Sequence, residues 1–156
     1  MSTQISENSP YALTAGGGKP MVWFGSTITL KASNPGIGVT EVVLKPGEEP
    51  PMHVHKNEDE WLYVLEGEVT FHVGGEDHRA HVGGFVSFPR GIPHTFSIET
   101  PSGRILVVNT PGGFEHMFDL APRTPEEAER AMAAFGMTVV SPHPRQVAAA
   151  VAPTVA

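Results

Sequence analysis

The chain has 156 residues, of which 40% are hydrophobic and 17% charged, a composition typical of one globular domain rather than of a disordered chain. Ten basic against 17 acidic residues give a net charge of −7, and no basic cluster offers the phosphate contacts that nucleic-acid binding requires. Cysteine is absent, which excludes disulfides, thiolate nucleophiles and thiolate ligands to a metal.

Residues 1–19 are small, polar and glycine-rich, which predicts a flexible N-terminal arm with Tyr11 and Leu13 docked on the body. The arm has no basic start followed by an apolar stretch, as a secretory leader would have. No run in the chain approaches the roughly 18 apolar residues of a membrane span. We therefore expect a cytoplasmic protein with neither a membrane nor a nucleic acid as partner.

Residues 20–111 are predicted to form the body of the fold, as short runs rich in Val, Ile, Thr and Phe. Gly and Pro, about a fifth of the chain, separate these runs as turn residues. Short strands at near-regular spacing predict an all-β antiparallel sandwich or barrel. The predicted strands cover residues 21–24, 27–31, 37–44, 52–55, 61–65, 68–73, 85–88, 94–98 and 104–109.

The pattern changes after residue 111, and residues 112–140 predict a C-terminal helical segment. Phe114, Met117 and Phe118 share one face of a short helical turn. A clearer helix follows over residues 124–135, with an N-cap threonine, a proline at the first helical position and a glycine after its end. Its single apolar stripe should lie against the barrel. Residues 141–156 mix Pro with Ala and Val and predict a disordered tail.

Four side chains that can bind a metal are spaced so that strands and turns can bring them together. His53 and His55 stand two residues apart, so in a strand both imidazoles point to the same face. Glu60 follows at an odd offset and can join them only across a turn, for which the polar residues 56–59 are suited. His94 lies on a later strand behind a rigid Pro- and Gly-containing turn. We interpret the four as ligands of one metal ion.

Three imidazoles and one carboxylate, with two coordination positions left open, describe an octahedral site. Such a donor set suits one divalent transition metal, namely Fe, Ni, Mn, Co, Cu or, less typically, Zn. Glu60 has two readings: a ligand, or a carboxylate swung out beside Glu58 and Asp59 that leaves a three-histidine site. A metal with open positions lowers the pKa of a bound hydroxyl, and Glu60 as the catalytic residue can take the proton.

The spacing of these residues resembles the two sequence motifs of the cupin superfamily. The first motif is carried by Gly47, His53, His55, Glu60 and Gly67. The second is carried by Gly83, Pro89, Gly91 and His94, and it departs from the family by placing Ile98 where Asn is usual. So many fixed residue types at the right spacing make a strong signal.

The resemblance covers roughly residues 37–110 and implies a double-stranded β-helix, a jelly-roll barrel with short C-terminal helices packed on it. It also implies that His53, His55, Glu60 and His94 are metal ligands inside the barrel. The residues from His53 to Glu60, together with the Pro111–Glu115 segment and the following helix, are similar to the single-domain quercetinase-type cupins of actinobacteria. In those relatives dioxygen opens a metal-bound flavonol, and pairing into a homodimer is frequent. The resemblance implies that the C-terminal helix of this chain caps the barrel mouth and shapes the pocket.

A flat aromatic substrate needs an apolar pocket beside the metal. His72 is interpreted either as a fourth imidazole near the metal or, by preference, as a half-exposed strand residue, whereas His78, His81, His116 and His143 are read as surface residues. The residues expected to line the pocket are Met52, Leu62, Phe71, His72, Phe85, Phe96, Phe114, Met117 and Phe118, with Val64 and Phe88 as further wall positions.

Three functions fit this sequence. The favoured one is a metal-dependent dioxygenase that opens or oxidises a flavonol-like, phenolic or aromatic polyketide-like substrate, with dioxygen as co-substrate. The second is a redox-neutral polyketide cyclase or isomerase that uses the same metal as a Lewis acid. The third is a non-catalytic barrel that binds a small molecule or stores a metal. A shared scaffold does not separate them, because one fold hosts many functions.

Overall fold

A computed structural model describes residues 5–6 and 9–151 of the chain. Its eleven strands form two antiparallel sheets that pack face to face, as in the predicted jelly roll. The strands are β1 (Lys19–Trp23), β2 (Ser26–Asn34), β3 (Ile37–Leu44), β4 (Met52–His55), β5 (Asp59–Glu66), β6 (Val69–Val73), β7 (Glu76–Ala80), β8 (Phe85–Phe88), β9 (His94–Ile98), β10 (Gly103–Thr110) and β11 (Met137–Ser141).

The first sheet has the strand order β1-β2-β3-β10-β5-β8, and the second has the order β11-β4-β9-β6-β7. Alternating burial along β5 and β10 shows one face of each strand turned inward. The inward apolar side chains of both sheets form the main core at one end of the sandwich. This core contains Leu44, Leu62, Val64, Val69, Phe71, Val86, Phe88, Phe96, Ile98, Ile105 and Val107.

Two strands were not predicted from the sequence. β7 has exposed side chains at all but its last position, so no apolar alternation marks it; it folds back on β6 through the turn at Gly74 and Gly75. β11 spans the end of the predicted helical segment 112–140 and the first residue of the predicted tail, and it pairs with β4 at the edge of the second sheet.

The helical segment begins with a 3₁₀ helix at Phe114–Leu120, followed by α1 (Pro125–Ala134). α1 confirms the predicted helix. Thr124 is its N-cap as predicted, since Oγ1 of Thr124 accepts a hydrogen bond from the backbone N–H of Glu127 at 3.2 Å. A second cluster of buried side chains, Phe114, Met117, Ala131 and Met137, attaches this segment to the barrel.

Both chain ends differ from the sequence expectation. At the N-terminal end, strand β1 already begins at Lys19, inside the predicted arm, and Tyr11 docks as expected by donating a hydrogen bond to the carbonyl of Lys31 at 2.7 Å. At the C-terminal end, residues Pro144–Val151 form the helix α2 where a disordered tail was expected. The guanidinium of Arg145 anchors this helix by donating to the carboxylate of Glu99 at 3.1 Å. The remainder of the tail, 152–156, lies outside the described residues.

Every helix in the described part of the chain is too short or too polar to traverse a lipid bilayer.

Candidate metal centre

The four predicted ligands come together inside the barrel. His53 and His55 lie on the inward face of β4, and His94 lies on β9 directly opposite His53. The polar turn after His55 carries the chain from the second sheet to the first, so Glu60 on β5 faces the three histidines across the interior. All four side chains are buried, and one donor atom from each lies within 4.8 Å of the others.

Backbone carbonyls fix the direction of two imidazoles. Nδ1–H of His53 donates to the carbonyl of Pro51 at 2.7 Å, and Nδ1–H of His94 donates to the carbonyl of Ile92 at 2.8 Å. A protonated Nδ1 leaves the lone pair on Nε2, the atom that can bind a metal. Both acceptors lie two residues before their histidine, in the segment that leads into its strand, so these segments orient the ligands.

Aromatic packing holds the other faces of the imidazoles. The ring of Phe88 stacks on His94 with 4.3 Å between centroids and 20° between planes. The ring of Phe114, in the 3₁₀ helix, meets His55 edge to face at 4.4 Å. These contacts restrict the rotamers that the ligands can adopt.

The distances and the unpaired atoms fit a metal ion. Oε2 of Glu60 lies 3.1 Å from Nε2 of His55 and 3.4 Å from Nε2 of His94. Two donors bound to one ion at about 2.1 Å are separated by roughly 3 to 4 Å. Oε2 of Glu60 and Nε2 of His94 are buried without a hydrogen-bond partner among the described residues, although buried polar atoms are normally paired. The cluster could therefore hold a metal ion.

Burial and neighbouring charges give the histidines opposite proton affinities. Burial, reinforced by the nearby His94 and His55, lowers the pKa of His53 to about 3, so its imidazole is neutral and available as a ligand. Burial also opposes the charged form of His55, but the carboxylates of Glu58 and Glu60 outweigh it and raise the pKa of His55 to about 9. In the metal-free protein, the proton on His55 therefore competes with a metal.

Glu60 is held in its ionised form. Burial alone would raise the pKa of this carboxyl group, but the imidazoles of His55 and His94, whose Nε2 atoms lie 3.1 and 3.4 Å from Oε2, outweigh burial and hold the pKa below its ordinary range. An ionised carboxylate is the form that binds a cation or accepts a proton.

The centre borders a cavity of about 510 Å³, and His53, His55, Glu60 and His94 all line it. A volume of this size lies within the range of small-molecule sites. Most of the remaining wall is apolar. It includes Trp23, Phe24, Ile28, Val42, Leu44, Phe88, Phe96, Val107, Phe114, Met117, Phe118, Ala128, Met132 and Met137.

The predicted pocket residues divide into two groups. Phe96, Phe114, Met117 and Phe118 line the cavity, as does the wall residue Phe88. The other predicted residues do not line the cavity, which corrects the expectation for Met52, Leu62, Val64, Phe71, His72 and Phe85.

Strand register and core packing explain these differences. Leu62, Val64 and Phe71 do point inward, but they are packed in the apolar core beyond the cavity. Met52 precedes His53 on β4 and so belongs to the opposite face of the strand. Phe85 is paired with the outward-facing Tyr63 and is 62% exposed.

The outer face of the second sheet holds two further histidines. His72 is not near the metal centre: its Nδ1 lies 2.6 Å from Asp77 and its Nε2 lies 2.8 Å from Oγ of Ser97. His143, interpreted as a surface residue, is buried instead, and its Nε2–H donates to the carbonyl of Phe96 at 3.0 Å. The fold of the C-terminal segment over this face accounts for that burial.

Two buried polar residues of the site were missed by sequence reasoning. Oε2 of Glu58 lies 3.6 Å from Nδ1 of His55, on the side of the ring away from Glu60, yet in sequence Glu58 belongs to a charged turn with no signal of burial. Asn109 lines the cavity at an inward position of β10. Its signal was available, since it follows Ile105 and Val107 with period two and is the polar member of that series.

Comparison with known proteins agrees with this geometry. Residues 40–109 match the family model described as "Cupin domain". Quercetin 2,3-dioxygenase of Bacillus subtilis (strain 168) is 28% identical over 127 residues, which are 79% of this chain and 38% of that protein. The chain thus spans less than half the length of this curated relative.

Solved structures share the fold over most of the chain. Streptomyces Pac13, solved with uridine, matches with a TM-score of 0.62 at 14% identity, covering 89% of this chain and 97% of that one. Another structure of Pac13 describes it as a nucleoside dehydratase. An RmlC-like cupin from Shewanella frigidimarina matches with a TM-score of 0.60 at 18% identity, covering 69% of this chain and 96% of that one. At such identities the likeness shows the fold alone.

Proposed function

This chain belongs to the cupin superfamily, and on that premise we propose that it is a metal-dependent dioxygenase acting on a flavonol-like, phenolic or aromatic polyketide-like substrate. The observation that carries the proposal is the position of four buried metal-binding side chains in the wall of an apolar cavity. The likeness to a quercetin 2,3-dioxygenase supports the choice of reaction.

The cavity favours a flat aromatic substrate. Phe88, Phe96 and Phe114 line it beside the histidines, and aromatic walls bind planar rings by burial and by stacked or edge-to-face contacts. Such walls also exclude bulk water from the reacting groups, which strengthens electrostatic interactions there.

His53, His55, His94 and Glu60 would hold one divalent transition metal, and three nitrogens with one oxygen suit Fe, Ni, Mn, Co, Cu or Zn. When bound, such a metal supplies a Lewis acid that lowers the pKa of a substrate hydroxyl. Glu60 is ionised, so its carboxylate can accept the hydroxyl proton. Glu60 would thus be both a ligand and the general base.

The experiment that tests the reaction type is an oxygen-electrode assay of the protein reconstituted separately with each candidate metal. With quercetin as the probe, we expect dioxygen consumption together with loss of the flavonol absorbance under air, and neither under argon. Glu60→Gln keeps the shape of the side chain but removes the base, so turnover should fall about 100-fold or more. Metal content is measured in parallel to separate loss of the base from loss of the ion.

Two results would contradict the proposal. Conversion of a phenolic substrate at the same rate under argon would assign the metal to redox-neutral chemistry, such as a cyclase or isomerase reaction. Tight binding of the flavonol with a full metal complement but no conversion under air would indicate a binding protein.

A further inference from the structure

A second polar side chain lies next to Glu60 on the inner face of the first sheet. β10 and β5 are antiparallel neighbours, and Asn109 is directly opposite Glu60 in their register. Opposed residues of such a pair have Cβ atoms about 5 Å apart, so their side chains enter the cavity side by side. The amide of Asn109 therefore lies within reach of any molecule that contacts the carboxylate of Glu60.

Asn109 is buried, with 3% of its surface exposed, and it lines the cavity. Its Nδ2 has no hydrogen-bond partner in the described part of the chain. Buried amide donors in native proteins are nearly always paired, and leaving one unpaired is costly. The missing acceptor is therefore expected from a molecule that occupies the cavity.

Glu115 is a buried polar residue with a structural role, and it provides a comparison for Asn109. Oε1 of Glu115 accepts from the hydroxyl of Ser33 at 2.6 Å, and its Oε2 accepts from the backbone N–H of Gly113 at 2.8 Å. Both oxygens are satisfied by protein, and they fasten the 3₁₀ helix to the barrel. The N–H₂ group of Asn109 has no such partner, which distinguishes it from a group retained for structure.

We propose that Asn109 is the substrate-positioning donor of this site, and this inference rests on the proposed function. Its Nδ2–H would donate to an oxygen acceptor adjacent to the hydroxyl whose proton Glu60 accepts. The pair then selects aromatic substrates with two neighbouring oxygens, a hydroxyl at Glu60 and a ring carbonyl at Asn109. A compound without the carbonyl leaves the buried donor unpaired, and sites built in this way reject such analogues.

The test is anaerobic calorimetric titration of the metal-loaded protein with quercetin and with catechin, a flavan-3-ol that lacks the ring carbonyl. The wild type should bind quercetin tighter by roughly tenfold to a hundredfold, the range for an unpaired buried donor. Because catechin also differs in ring planarity, the informative quantity is the change in this affinity ratio on substitution.

Asn109→Leu keeps the approximate volume and removes the donor, so the ratio should fall severalfold toward one while the metal content stays at the wild-type value. Asn109→Asp keeps the shape and replaces the donor by an acceptor, so it should weaken quercetin binding further. Val108→Ala is the matched control, because Val108 is the preceding residue of β10 and does not line the cavity.

An unchanged ratio in both Asn109 variants would overturn the inference while leaving the proposed function intact. If wild-type protein binds neither compound with a full metal complement, the substrate class itself is wrong, and the inference falls with it. Loss of metal from the folded Asn109→Leu variant would also contradict it, because it would assign Asn109 to the metal centre.

Discussion

β5, β9 and β10 each span the barrel interior. One end of each strand lies in the packed apolar core, here called the filled end, and the other borders the cavity, here called the open end. On β5, Leu62 is fully buried in the core, whereas Glu60, two residues earlier on the same face, borders the cavity. The same change occurs from Ile98 to His94 on β9 and from Ile105 to Asn109 on β10. Phe96 on β9 and Val107 on β10 lie between these positions and belong both to the core and to the cavity wall. The inward faces of these strands therefore pass from packed core side chains to side chains that border the cavity.

The two ends are closed in different ways. At the filled end, aliphatic and aromatic side chains from both sheets pack against one another, as interiors of proteins do. At the open end, the covering comes from residues outside the two main sheet faces, namely the 3₁₀ helix and α1, which contribute Phe114, Met117 and Ala128 to the cavity wall. We therefore expect substitutions at the filled end to affect folding and substitutions at the open end to affect metal binding.

The largest effect is expected from removing ligands at the open end. His53→Ala and His94→Ala each delete one of four donors, and metal affinity should fall by more than the roughly 10- to 100-fold typical of residues that only orient ligands. The fold should survive, because most of the apolar core packs without these residues, although Phe88 loses its stacking partner in His94→Ala. Metal content after dialysis and circular dichroism measure the two effects.

His78→Ala is the control for the ligand variants, since His78 is an exposed histidine of β7 far from the centre in the fold. Stoichiometric metal in the His53→Ala, His94→Ala double variant would contradict the assignment of the centre.

At the filled end, Leu62→Ala should give the converse result. Leu62 is fully buried on the same face of β5 as Glu60, and a leucine-to-alanine change in a core typically costs about 2–5 kcal/mol of unfolding free energy. Chemical denaturation measures this loss, and the metal stoichiometry of the folded variant should equal that of the wild type. Val82→Ala, at an exposed position, should change stability by less than about 0.5 kcal/mol. Wild-type stability accompanied by metal loss in Leu62→Ala would contradict the expectation that substitutions at the filled end affect folding rather than metal binding.

The convergence of His53, His55 and Glu60 could be predicted because it depends on local geometry, whereas His94, on a distant strand, was assigned from the spacing of the second cupin-like motif. Strand alternation puts His53 and His55 on one face, and the odd offset of Glu60 requires the turn that the polar residues 56–59 supply. The Gly and Pro separators marked most strands. These features belong to short segments, so a single sequence contains them.

Register and long-range pairing explain what could not be predicted. Phe85 and Val86 are both apolar, and only the pairing of β8 with β5 decides that Phe85 faces out; a shift by one residue reverses every side chain. β11 forms because Met137–Ser141 meets the free edge of β4, a partner more than 80 residues earlier in the chain. The burial of Glu58 likewise depends on its position beside His55, which the charged turn sequence does not reveal.

A smaller effect concerns pH at the open end. In the metal-free protein Glu58 and Glu60 outweigh burial and raise the pKa of His55 to about 9, so below that pH an incoming metal must displace one proton. The association constant should therefore rise about tenfold per pH unit up to about pH 9 and level off above it. Competition with a chelator whose own protonation is known measures this dependence.

Glu58→Gln separates this carboxylate from the ligand Glu60. Removing one of the two negative charges beside His55 lowers the proton affinity of the imidazole. The association constant for the metal should therefore stop rising at a lower pH than in the wild type. Asp77→Asn is the matched control, because Asp77 pairs with a histidine, His72, on the outer face of the second sheet. A wild-type slope near zero, or identical profiles for the Glu58 and Asp77 variants, would contradict a proton on His55 as the competitor. The expected result is that the pH at which the metal association constant levels off falls in Glu58→Gln and not in Asp77→Asn. The proton affinity of His55 then depends on Glu58, a residue that does not bind the metal.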